Sequence, residues 1–87
     1  SVINLKGMNL TGIKLYGVNL QNSILDQVIF NDAEFINTDF SNAKLVNSQL
    51  IQTYVINCNF DSVNLNNSSI ISVNFRKTNL TNINLTN

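Results

Sequence analysis

A large apolar side chain returns at every fifth position without interruption, from Leu5, Leu10 and Leu15 through Phe30, Phe35 and Phe40 to Phe75, Leu80 and Leu85. This spacing fits neither the helical period of about 3.6 nor the strand period of about 2. It marks the chain as an internal repeat. Short repeats of this kind build solenoids, in which each unit buries its apolar face against its neighbours.

The residue two places before each large one is small or branched almost throughout, as in Val18, Ala33, Thr38, Ala43, Cys58 and Val63. The residue between them is mostly polar, as in Asn19, Asp39, Asn59, Asn64 and Asn79. In, out, in is a short piece of strand. An odd repeat would turn every second large residue outward if the strand ran on, so the chain must bend once per repeat. Gly7, Gly12 and Gly17 lie two places after the large residue, where later repeats carry Asn22, Asp32, Asn37, Asn42, Asn47, Asn57, Asn67 and Asn82. These residue types accept tight turns and positive φ.

Windows such as Val18-Asn19-Leu20, Thr38-Asp39-Phe40, Cys58-Asn59-Phe60, Val63-Asn64-Leu65 and Thr78-Asn79-Leu80 closely match one pattern. The chain resembles the pentapeptide-repeat family over essentially its whole length. That resemblance implies an all-β fold, a right-handed quadrilateral parallel β-helix in which four pentapeptides make one square coil. Residues 1–87 are then a single domain of about four coils of twenty residues. The chain departs from the family in its shortage of alanine, with Thr, Ser and Val taking most small inward positions. The first coil is unusually bulky there, with Ile3, Met8, Ile13 and Val18 expected to act as a partial plug.

Composition narrows the function. Of the 87 residues 44% are hydrophobic and 11% charged, yet no apolar run is long enough for a membrane span and no charged leader precedes an apolar core. The sequence starts in mid-pattern at Ser1, and repeat arrays need covered ends; the expectation is an excised module of a larger, soluble protein, cytoplasmic or delivered as a secreted effector. With no histidine, no tryptophan and one cysteine, the chain offers no nucleophilic triad or zinc site, and neither enzymatic activity nor a metal or cofactor is expected. Cys58, in the inward register, reads as a buried core thiol. Asp26, Asp32, Glu34 and Asp39 fall within the second coil but spread over different sides and corners, which argues against a shared acid/base site.

Nucleic-acid binding needs a basic stripe, whereas five Lys and Arg balance five Asp and Glu. The same balance weakens the topoisomerase protection by DNA mimicry that the family resemblance suggests. What remains is the outer surface. Wrapped at twenty residues per coil, Asn19, Asp39, Asn59 and Asn79 form a polar side whose asparagines are expected to bond in ladders. Tyr16, Ile36 and Ile56 form an outward column ending in Arg76, with Tyr54 in the next column beside Glu34. Together with Ile51 and Ile71 around the corner, Tyr16, Ile36, Tyr54 and Ile56 make a candidate docking patch. Branched residues also suit strands for their own sake. The sequence therefore points to a non-catalytic structural and protein-interaction module presenting flat faces to a protein partner or another domain of its own chain, with homo-oligomers open. The alternative is a β-helix module of a bacterial secreted effector, for example a HECT-like ubiquitin ligase, with its catalytic region elsewhere.

Overall fold

In a computed structural model, which describes residues 2–86, the chain winds as a stack of parallel coils. Four short strands, β1 (Lys14–Tyr16), β2 (Glu34–Ile36), β3 (Tyr54–Ile56) and β4 (Asn74–Arg76), form one sheet in the order β1-β2-β3-β4. Every pairing is parallel and in step by one coil, as with Leu15 beside Phe35, Phe35 beside Val55 and Val55 beside Phe75. Single bridges repeat that step elsewhere, linking Asn19 to Asp39 to Asn59 to Asn79, Ile24 to Lys44 to Asn64 to Asn84, and Asn9 to Ile29 to Gln49 to Ser69. A twenty-residue register cut into five-residue units gives four sides. We call them the strand side, the Asn19 side, the Lys44 side and the Ile29 side, in chain order.

The corners follow from backbone chemistry. Every fifth residue from Gly7 to Asn82 has positive φ, and the N–H one place beyond it commonly bonds back to the carbonyl of the large residue, as Met8 does to Leu5 and Ala43 to Phe40. Positive φ confined to the third residue of such a bonded turn defines a type II turn. The phase also forces Gln27, Gln52, Ser62, Ser72 and Lys77 into the left-handed region, although their side chains have no preference for it.

Inside, the large residues meet. Phe30, Phe35, Phe40, Phe60, Leu25, Leu45, Leu50 and Leu65 are fully buried, and the phenylalanine rings run through the middle of the stack with Phe35–Phe40 and Phe40–Phe60 centroids 4.8 and 4.7 Å apart. The polar inward positions are all satisfied: among the described residues no buried side-chain nitrogen or oxygen lacks a hydrogen-bond partner. Burial fades toward both ends. Ile3 and Met8 stay exposed, as do Leu80 and Leu85, while Ile13 and Val18 of the bulky first coil are partly buried and pack against the core.

Candidate protein-docking face

The four corners of a coil could all turn alike, but the corner leaving the strand side lacks the backbone turn bond. There the carbonyls of Leu15, Phe35 and Val55 are taken by side chains one coil on: Thr38 Oγ1 at 3.2 Å, Cys58 Sγ at 3.3 Å and Thr78 Oγ1 at 3.1 Å. The same hydroxyls accept the N–H of Val18 and of Cys58. A bonded column therefore runs along this edge and holds β1–β4 in register. Cys58 is a free, buried thiol serving as a hydroxyl's substitute. Burial pushes its pKa up, and the backbone of Thr38, Ile56 and Asn37 offsets this only in part.

With the strands so fixed, their outward residues stand in columns. One is Tyr16, Ile36, Ile56 and Arg76; the other is Lys14, Glu34, Tyr54 and Asn74. Tyr16 and Tyr54 are 56% and 51% exposed, while Ile36 and Ile56 are half-buried between their neighbours. The Tyr16 hydroxyl donates to Glu34 Oε1 at 3.0 Å, which orients both groups and raises the Tyr16 pKa. The docking residues read from the sequence are therefore brought together for Tyr16, Ile36, Tyr54 and Ile56. Ile51 and Ile71 stand apart from these columns, on the corner that leads from the Ile29 side, where Ile71 is exposed and Ile51 half-buried.

The sequence reading missed a shallow groove beside Tyr54, lined by Asp32, Glu34, Gln52, Thr53, Tyr54, Ser72 and Asn74. Two of the four acids set apart in the sequence reading, Asp32 and Glu34, thus share one feature; the twenty-residue spacing of Asp32, Gln52 and Ser72 was the available signal. Among the described residues no group of three or more His, Cys, Asp or Glu could hold a metal ion, and no helix is long and apolar enough to cross a membrane.

The polar side differs from expectation. Asn19, Asp39, Asn59 and Asn79 do not ladder to one another; each Oδ1 accepts the backbone N–H two residues on, at 2.9 or 3.0 Å. This local Asx turn competes directly with the ladder and wins, because it satisfies a corner N–H without leaving the repeat. A side-chain ladder step does form at a corner, where Asn57 donates to Asn37.

These features define a four-sided parallel β-solenoid. The pentapeptide repeat model matches in eight copies over residues 3–32, 13–50 and 48–87, and the chain belongs to the pentapeptide repeat family. No curated protein matches it by sequence. Among solved structures it is similar to a trypsin-treated form of QnrB1, a plasmid-mediated fluoroquinolone resistance protein, at 18% identity and TM-score 0.62 over 94% of this chain and 55% of that one. It is also similar to a pentapeptide repeat protein of the Arabidopsis thaliana thylakoid lumen, at 24% identity and TM-score 0.55 over 92% of this chain and 63% of that one. HetL, involved in heterocyst differentiation regulation in the cyanobacterium Nostoc sp. strain PCC 7120, matches at 17% identity and TM-score 0.53, covering 92% of this chain and 39% of that one. The chain thus spans less than two thirds of the length of each of these structures, and at these identities the likeness concerns the fold.

Proposed function

We propose that the chain is a non-catalytic protein-interaction module that docks through its strand side. The observation that carries this reading is the outward column Tyr16, Ile36, Ile56 and Arg76, held in strict register by the strands beneath it. Isolated exposed apolar residues are ordinary on a protein surface, but a continuous stripe with tyrosines beside it is the composition of an interface core. The Asn19 side offers a contrast, since its outward positions are spent on Asx turns. The test replaces Tyr54 and Ile56 by Asn, both outward-facing. Association with a purified partner or with itself, followed by light scattering and affinity capture, is expected to fall with unchanged circular dichroism; unchanged association would remove the reading.

A further inference from the structure

We propose that the partner of the strand side is a second copy of this chain, packed face to face with the two solenoids antiparallel. The inference rests on the docking reading above and names its occupant. It follows from the order of residues along the two outward columns. A two-fold axis lying along the strands, midway between β2 and β3, exchanges β1 with β4 and β2 with β3.

Under that operation Ile36 meets Ile56 of the second copy, so the centre of the contact is apolar on both sides. The Tyr16 ring meets the Arg76 guanidinium of the second copy, a cation–π pair. Glu34 has one carboxylate oxygen on Tyr16 and a second oxygen to accept the Tyr54 hydroxyl of the second copy. Lys14 faces Asn74, and at the corner Asp32 faces Gln52. No charged residue meets one of like sign. An isologous contact requires this self-complementarity of a single patch.

The alternatives fail on the same residues. A parallel arrangement with the axis along the stack would set Glu34 against Ile36 of the second copy, burying a carboxylate on hydrocarbon. On the Lys44 side, whose bridged rungs run from Asn4 to Asn84, the antiparallel operation puts Lys44 opposite Lys44. On the Asn19 side it pairs Asp39 with Asn59, and on the Ile29 side Ile29 with Gln49, leaving no apolar centre in either case.

Rungs ~4.8 Å apart give the strand side a footprint of roughly 20 by 15 Å, well under the ~800 Å² per partner of a standard interface. The dimer is therefore weak and concentration-dependent. Sedimentation velocity over a concentration series is expected to show reversible monomer–dimer exchange. Arg76→Glu and Ile36→Asn should each weaken it at least about tenfold, and Lys44→Gln should leave it unchanged. Orientation is tested in a Cys58→Ser background: Lys14→Cys mixed with Asn74→Cys is expected to couple through a short bis-maleimide. Lys14→Cys alone is not, since its two copies lie three rungs, ~14 Å, apart along the stack. A chain monomeric at every concentration, or Lys14→Cys coupling to itself, would overturn the proposal. A monomer that still binds a defined protein through Tyr54 and Ile56 would overturn the second copy as occupant and leave the docking face standing. A dimer indifferent to all strand-side changes would remove both.

Discussion

The Cys58 thiol donates to the Phe35 carbonyl at 3.3 Å, reaching back across a full coil to a group that no turn hydrogen bond serves. Thr38 and Thr78 do the same for Leu15 and Val55. The column thus demands a short donor at each inward position, and cysteine is its weakest member. Cys58→Thr is expected to hold or slightly raise stability in urea unfolding. Cys58→Val, close in volume, should cost about 0.5–1.5 kcal/mol by removing one of the hydrogen bonds to the Phe35 carbonyl.

Gly12 separates backbone strain from packing. Its φ is +75°, and a Cβ placed there would meet nothing within 4 Å. Gly12→Ala should therefore lose about 1 kcal/mol from the left-handed conformation alone, while Gly12→Asn should lose less, since asparagine tolerates this region. Paired urea denaturation of the two variants checks the order; equal losses would mean that the turn, not the residue, sets the conformation.

These two cases show how far the sequence reaches. The five-residue phase placed Leu, Phe and Cys58 inside and put positive φ two places after each large residue, because inward packing and corner geometry recur identically in every repeat. Gln52, Ser72 and Lys77 were not identified from their residue types; only phase marks them. The docking columns were legible because twenty-residue spacing puts Tyr16, Ile36 and Ile56 in line. What escaped was lateral: the Tyr16–Glu34 hydrogen bond, the groove by Tyr54 and the Asx turns of Asn19 and Asp39. Each depends on where a polar side chain finds its nearest partner, and the repeat leaves that free.

Phe40 packs on Phe30, 6.4 Å away, and Phe35, 4.8 Å away, within one turn and on Phe60 of the next coil, 4.7 Å away. It is wholly buried, whereas Leu85 occupies the same repeat position at 55% exposure. Phe40→Ala should cost about 3–5 kcal/mol, and Leu85→Ala under about 1 kcal/mol. Since stability in a solenoid is carried between neighbouring coils, the central variant should also broaden the unfolding transition followed by circular dichroism. Similar losses at both sites would contradict a core concentrated in the middle coils.

Titration distinguishes Tyr16 from the polar side. The Tyr16 hydroxyl donates to Glu34, and this bond, then slight burial and the nearby carboxylate charge, raise its pKa above 10.0. A raised folded-state pKa supplies stability that is complete below the unfolded value and lost as pH climbs through the folded one. The Tyr16 term is therefore lost in the alkaline range, as is that of Cys58, whose pKa burial raises. For Asp39 burial pulls the pKa upward, but hydrogen bonds from Gln21 and Ser41 outweigh it and the value falls below 3.8. Its contribution is present above the unfolded value and is lost as pH falls through the folded one. Glu34→Gln should bring the Tyr16 absorbance titration to lower pH. Asp39→Asn, which keeps an oxygen for the Ser41 N–H, should flatten the acid limb without moving the tyrosine curve. A Tyr16 titration unmoved by Glu34→Gln would show that the bond between β1 and β2 does not persist in solution.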